Sequence, residues 1–320
     1  MTSFLMASTR EAYGKTLLDI GKSNPNVVVL GGDLNKSTFT HLFAQKFPDR
    51  FFDFGPAEQN IMSVAAGLAA SGKIPFVSTF AVFGMCRPFD QIRLNIAQPH
   101  LNVKIVCTHA GIITGEDGMS AHSIEDLALA CSLPGFNVVA PSDSLETIQA
   151  VRVASETNGP FYIRLYRPAI PVVHDAEYVF SLGKGDLIRK GMGVTVFGIG
   201  SMVGSSLIAA QEIAVEGIDC RVINMHTLSP LDEEIIALAA KETGAIVTVE
   251  EHYFHGGLGS LVAQVIGKYF PVPLEMVALQ GYTESGKPDE LIEKYELGIK
   301  DIKIAIRNAY TRKLSINTSH

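Results

Sequence analysis

A carboxylate stands where an apolar helix is expected to begin. In "FFDFGPAEQNIMSVAAGLAASG", residues 51 to 72, an apolar strand turns on Gly55-Pro56, and Glu58 opens a helix of small and apolar residues. An acid suits a helix N-terminus, where the macrodipole and free backbone N–H groups favour negative charge. From Ile61 to Ala70, however, the helix is apolar nearly all round, so protein is expected on both of its sides. A glutamate entering such a place is costly unless it meets a partner, and perturbed carboxylates gather at functional sites. Glu58 therefore reads either as a dipole-capping acid or as a proton-handling group.

Other stretches carry chemistry-bearing side chains. In "THAGIITGEDGMSAHSIEDLALA" a strand ends in Thr108-His109, and a glycine-bearing loop follows with Glu116, Asp117, Ser120 and His122. Such a loop at a carboxyl strand end is where an α/β enzyme places binding groups. The same stretch also reads as the start of a helix capped by Ser123, with Asp126 at the third helical position. "STFAVFGMCRPFDQIR" places Phe80, Phe83 and Phe89 just beyond a strand, as core aromatics or, for Phe80 and Phe83, as walls for a flat ring. "FGIGSMVGSS" spaces Gly198, Gly200 and Gly204 as G-x-G-x-x-x-G, one residue too long for a dinucleotide fingerprint and without a ribose acid. Tight strand-to-helix packing is the better reading of that turn.

The elements that must position these residues alternate along the chain. "NVVVLGGD", "FFDFG", "IPFVSTF", "NVKIVCTHAG", "FNVVAPSD" and "FYIRLYRP" are short Val- and Ile-rich runs separated by helical patterns, which predicts parallel sheet buried on both faces. A Pro-rich polar passage follows "FYIRLYRP". The alternation then restarts with "VTVFGIGS", "DCRVINMHT" and "AIVTVEEH", with helices over 202–216, 231–243 and 257–269 and a closing C-terminal helix.

At 320 residues there is room for two domains with cores of their own. Hydrophobic content of 47% with 18% charge excludes a disordered chain and allows a large interface. A net charge of -7 with no basic run argues against nucleic acid or an anionic membrane as partner. Cys86, Cys107, Cys131 and Cys220 are widely spaced in apolar surroundings and read as buried thiols. The N-terminal residues show no leader pattern and no window has transmembrane length, so a cytoplasmic location is expected.

Taken in order, "STREAYGKTLLDIG", "GGDLNKSTFTHLF", "RFFDFGPAEQN", "STFAVFGMCRPFDQIR", "THAGIITGEDG" and "VEEHYFHGGLGS" resemble the transketolase family of thiamine diphosphate enzymes over nearly the whole chain. The resemblance implies an α/β fold of two domains, each a mainly parallel sheet covered by helices. These are a pyrimidine-binding domain over 1–172, a linker over 173–190 and a Rossmann-like transketolase C-terminal domain over 191–320. In the family, the glutamate matching Glu58 hydrogen-bonds a ring nitrogen of the cofactor's aminopyrimidine and promotes its imino tautomer, and aromatics matching Phe80 and Phe83 hold that ring. The family often has a further aromatic or basic residue near the position of Cys86, which leaves the third wall of the ring unassigned here. Gln59 and Asn60 read as supports for neighbouring backbone.

Thiamine enzymes hold the diphosphate and its metal through a GDG motif and a downstream Asn, and "GGDL", "GKGD" and "GEDG" do not match it. The resemblance thus implies that no metal is bound here. A partner, the N-terminal diphosphate-binding subunit, would supply the Mg2+ or Ca2+ site in a two-plus-two assembly. The implied activity is transfer of a two-carbon ketol unit between sugar phosphates. Alternatives are a deoxyxylulose-phosphate synthase-like half, the beta subunit of a thiamine-dependent 2-oxo acid dehydrogenase, and a regulatory subunit without chemistry. Substrate phosphate is expected on Arg10, Ser37, His109 and Arg167, and a substrate hydroxyl on Asp117. Transketolases often carry His or Gln three residues after the last glycine of GEDG; that place is Ala121 here, and His122 either takes over the role or is a surface residue.

Overall fold

The computed structural model describes residues 4–317. The strands are β1 (Met6–Ala7), β2 (Val27–Gly31), β3 (Phe51–Asp53), β4 (Ile74–Ser78), β5 (Lys104–Cys107), β6 (Asn137–Val139), β7 (Phe161–Arg164) and β8 (Ile170–Pro171) in the first domain. The second has β9 (Asp186–Arg189), β10 (Val194–Gly198), β11 (Cys220–Asn224), β12 (Thr227–Ser229), β13 (Ile246–Tyr253) and β14 (Leu274–Leu279). A seven-stranded sheet runs β12-β6-β7-β5-β4-β2-β3 and a five-stranded one β14-β13-β10-β11-β9, while β1 and β8 form a small antiparallel pair. Both larger sheets are parallel except at one edge, β12 and β9 respectively. Their central strands β2, β5, β7 and β10 are buried at every residue, as the unbroken apolar runs require.

The helices are α1 (Thr9–Ser23), α2 (His41–Lys46), α3 (Glu58–Ala70), α4 (Phe89–Gln91), α5 (Asp126–Cys131), α6 (Ser144–Glu156), α7 (Met202–Ile213), α8 (Glu233–Thr243), α9 (Leu258–Tyr269), α10 (Pro288–Lys294) and α11 (Ile299–Asn317). Side-chain caps start α1 and α6: Ser8 Oγ accepts from the Glu11 amide at 3.3 Å and Asp143 Oδ1 from the Glu146 amide at 2.8 Å. The segment on either side of α4, over Val82–Cys86 and Ile92–Ala97, is wound as π-helix. Such widened turns recur at functional sites.

The two domains are stitched rather than merely linked. Strand β12 lies beyond the second domain's first strands in sequence, yet it pairs antiparallel with β6 of the first sheet. The Ala140 amide donates to His226 O at 2.8 Å and Ser229 Oγ to Phe136 O at 2.7 Å beside it. One apolar core accordingly holds Ile61, Val77 and Ile105 together with Ile223, Ile236 and Leu258. The passage read as a linker, 173–190, contains β9 near its end. His174 within it lies between Asp143 (2.9 Å) and Asp186 (3.2 Å); burial works against its charge, but the two carboxylates prevail and raise its pKa to about 10.

Gly200 adopts φ +56°, and a Cβ there would fall 1.7 Å from the Tyr166 hydroxyl, which accounts for the glycine turn after β10 by packing. Cys107 and Cys220 are buried as expected, whereas Cys86 and Cys131 are only half-buried; all four are free. Helix α3 is covered on one side only within this chain, with Gln59, Asn60, Ser63 and Gly67 exposed. Among the described residues, no helix is long and apolar enough to cross a membrane.

Candidate functional site at the carboxyl edge of the first sheet

Glu58 is the first residue of α3 and is 5% exposed. Its partner is Arg87, whose Nη1 donates to Glu58 Oε1 at 2.9 Å. The Arg87 guanidinium also lies 4.0 Å from the Phe83 ring centroid, a cation-π distance. Phe83 stacks with Phe80 at 5.8 Å and 16°, and Phe80 stacks on His109 at 3.6 Å and 18°. Contacts therefore run without a break from Glu58 through Arg87, Phe83 and Phe80 to His109. A cleft of about 440 Å³ opens beside Glu58, lined by Pro56, Ala57, Gln59, Asn60 and Arg87.

Sheet register explains why these residues meet. Beyond β4 and β5, Phe80 pairs with Thr108 in an isolated parallel bridge, which places the next residue, His109, against the Phe80 ring. His109 has φ +58°, an uncommon left-handed conformation for a residue with a side chain and a frequent mark of functional sites. Its Nδ1 lies 2.8 Å from Thr108 Oγ1. Burial, with Arg10 and Arg167 nearby, pushes its pKa down to about 3, so the imidazole is neutral at ordinary pH.

Arg10, in the first turn of α1, donates from Nη1 to Ser37 O at 2.7 Å, and its guanidinium lies 5.5 Å from the Phe39 ring centroid. Its Nε is buried without a hydrogen-bond partner. Ser37 thus contributes its backbone carbonyl to the cluster, on a loop fixed by Asp53: Oδ1 accepts from the Asp33 amide at 2.9 Å and the Gly55 amide at 3.1 Å. Arg167 donates from Nη1 to Thr114 O at 2.5 Å and reaches Glu116 at 3.3 Å and Asp117 at 3.4 Å. Burial, and then the charge of Arg167, lower the Arg10 pKa.

Two sequence expectations are corrected. His122 does not lie at the surface: it is buried, with Nε2 2.8 Å from Gly115 O and Nδ1 2.7 Å from Thr283 Oγ1, so both ring nitrogens are engaged. Ser123 does not cap a helix; α5 begins at Asp126, and the Ser123 hydroxyl is buried without a partner. Asp126 is instead the anchor of a buried ion pair, with Oδ2 accepting from Arg164 Nε at 2.9 Å and the Tyr162 hydroxyl at 2.6 Å. Sequence reading also passed over Arg87 and Asp53. A lone arginine in the apolar run "FGMCRPF" was the available signal for the first.

Among the described residues, no group of three or more His, Cys, Asp or Glu side chains is placed to hold a metal ion. The donor set does suit an aminopyrimidine: a buried carboxylate, half-buried Phe83 and a cleft on the open side. Arg87 takes Oε1 and leaves Oε2 for a ring nitrogen.

Residues 6–172 match the family model for the transketolase pyrimidine-binding domain, and residues 183–302 that for the transketolase C-terminal domain. A putative transketolase C-terminal section from Methanocaldococcus jannaschii is 41% identical over 296 residues, covering 90% of this chain and 92% of that protein. The 6-deoxy-6-sulfo-D-fructose transketolase subunit SqwH of Clostridium sp. is 40% identical over 306 residues, 95% of each chain. Human transketolase is 36% identical over 95% of this chain, which spans 49% of that relative's length. A solved structure described as a split gene transketolase, inactive beta4 tetramer, superposes with a TM-score of 0.90 at 46% identity, covering 96% of this chain and 99% of that one. The chain belongs to the transketolase family and corresponds to its pyrimidine-binding and C-terminal domains.

Proposed function

We propose that this chain binds the aminopyrimidine end of thiamine diphosphate and, with a partner subunit holding the diphosphate and its divalent metal, transfers a two-carbon ketol unit from a ketose to an aldose. The observation that carries the reading is the unbroken run of contacts from Glu58 to His109, which joins the expected cofactor wall to the expected substrate cluster. Relatives named as a C-terminal section, a subunit and a split gene product support the partner. Their transketolase names favour ketol transfer over the synthase-like and dehydrogenase alternatives. When bound, the cofactor supplies the carbon nucleophile and electron sink that cleavage beside a ketose carbonyl needs.

The chain's own groups divide the remaining work. Glu58 shares a proton with the ring nitrogen, while Phe83 and Phe80 exclude water and fix the ring plane. Neutral His109 can donate or accept a hydrogen bond without adding charge. Arg10 and Arg167 bind the anionic tail of the sugar, with Ser37 on the loop beneath Arg10, and Asp117 accepts from a substrate hydroxyl.

A second reading concerns that tail. Arg167 is ion-paired with Glu116 and Asp117 and His109 is neutral, so the positive charge of the cluster is partly offset. A singly charged sulfonate is then better matched than a doubly charged phosphate, and SqwH is named for a sulfo-sugar. The test is to combine the purified chain with its diphosphate-binding partner and compare kcat/KM for a ketose phosphate and for 6-deoxy-6-sulfo-D-fructose. Ketol transfer by the mixture alone is expected; full activity of this chain without the partner overturns the split-site reading.

A further inference from the structure

Side chains of the second domain reach into the turn that follows β5. Glu251, on β13 and 1% exposed, accepts from the Ile113 amide on Oε1 and from the Ser201 hydroxyl on Oε2, each at 2.7 Å. A Cβ at Gly111, where φ is +75°, would fall 2.0 Å from Glu251 Oε1, so the carboxylate lies directly against the turn. At the far end of the loop, Thr283 Oγ1 meets His122 Nδ1. Because the Gly115 carbonyl at His122 Nε2 can only accept, Nε2 carries the hydrogen and the Thr283 hydroxyl donates to Nδ1. Ser285 Oγ donates to Glu116 O at 2.7 Å. Ile112 and Ile124 are buried in the second domain's core beside Val249, Leu279 and Leu291.

The loop from Gly111 to His122 is encoded with the first domain but folded on the second. It needs outside support, because Gly111, Gly115 and Gly118 all take positive φ and glycine gives up the most conformational freedom on ordering. The loop in turn grips Arg167 through Thr114 O, Glu116 and Asp117. We propose that the second domain is the positioning element of the substrate loop: Glu251, Thr283 and Ser285 hold residues 111–122 in the conformation that presents Asp117 and aims Arg167. The substrate side of this inference rests on the ketol-transfer reading above. These are positioning residues, and a domain remote from the cofactor ring thereby sets how tightly the sugar is held.

The experiment uses the full chain with Thr283→Val and Ser285→Ala, singly and together. The control is Thr195→Val, which removes a buried hydroxyl pair of the same domain, Thr195 to Thr243 at 2.9 Å, away from the loop. Hydrogen–deuterium exchange of peptides spanning 111–122 should quicken by about fivefold per lost neutral hydrogen bond. The control should leave that exchange unchanged, and Thr283→Ser, which keeps the donating hydroxyl, should restore it. In the assembled complex the double variant should raise KM for the sugar with kcat and cofactor affinity near wild type. Exchange over 111–122 no faster than in the control, or a KM that moves only together with cofactor affinity, overturns the proposal. If the wild-type complex shows no ketol transfer, the functional reading fails and the exchange measurement still decides the positioning role.

Discussion

The carboxyl edges of the two sheets carry similar side chains in opposite states of completion. On β13, Glu250 accepts from the Leu258 amide at 2.7 Å and the Gly259 amide at 2.8 Å, which finishes the N-terminus of α9. Glu251 is bonded on both oxygens, and His252 lies 2.6 Å from Tyr253 O and 3.3 Å from the Ala128 amide. At the first sheet's edge, His109 holds a left-handed backbone, Arg10 Nε is buried without a partner, and Glu58 has one oxygen engaged. Buried polar groups are ordinarily paired, so the open positions at Arg10 and Glu58 make the first edge the candidate for a ligand, although Asn224 Oδ1 at the end of β11 is unpaired as well. A shifted pKa alone would mislead: burial, against the backbone amides, raises the Glu250 carboxyl to about 7, yet its geometry is that of a helix cap.

The comparison breaks most sharply at Glu58. Glu58→Gln should lower ketol transfer by the assembled complex by about 100- to 10,000-fold, the scale of a general acid–base group, with circular dichroism unchanged. The corresponding exchange in the finished edge, Glu251→Gln, should leave proton transfer at the cofactor intact. Near-normal turnover of the Glu58 variant would remove this residue from the mechanism.

Stability should show the reverse ranking. Arg164 joins the edges, donating to Asp126 Oδ2 and to the carbonyls of Ser123 and Glu251 at 3.2 and 2.9 Å. Arg164→Met leaves Asp126 buried without its cation and should cost about 3–5 kcal/mol in denaturant unfolding. A loss below about 1 kcal/mol, the range of surface pairs, would mean that water replaces the guanidinium.

The pH dependence sharpens the contrast further. Burial raises the Glu250 carboxyl from its ordinary 4.5 to about 7 in the folded chain, so the folded state favours its protonated form. That contribution is complete below pH 4.5 and is lost as pH rises through about 7, at most about 3.5 kcal/mol at roughly 1.4 kcal/mol per pKa unit. Thermal unfolding from pH 4 to 8 should show Glu250→Gln flattening this part of the profile. An unchanged slope would refute the assignment.

The smallest effect is expected at the guanidinium groups. Arg10→Ala or Arg167→Ala should raise KM for anionic sugars by an amount worth about 1.5–3 kcal/mol per charged hydrogen bond, with little change for an uncharged analogue. Equal losses for charged and uncharged substrates in steady-state assays would make both residues structural.

Much of this was legible in the order of residues. The Val- and Ile-rich runs that became β2, β4, β5, β7 and β10 are buried on both faces, and local pattern suffices to mark such strands. Glu58 could be singled out because a carboxylate at the head of an apolar helix is costly wherever the helix packs. His122 and Ser123 were misread because their surroundings come from outside their own segment: Thr283 lies 161 residues from His122, and the helix expected at Ser123 begins at Asp126 instead.

The sequence by itself determined the periodicity, the cost of a buried acid and the family to which the motifs point. Tertiary structure alone decided that Arg87, 29 residues away, answers Glu58. It also decided that β12 crosses to the first sheet and that the second domain holds the loop after β5. The physical reason is that strand and helix patterns follow from neighbours along the chain, whereas partners for buried charges and carbonyls are chosen by proximity in space. Glu251 illustrates it: its acid was visible in "VEEH", but the amide of Ile113 that it satisfies lies 138 residues earlier.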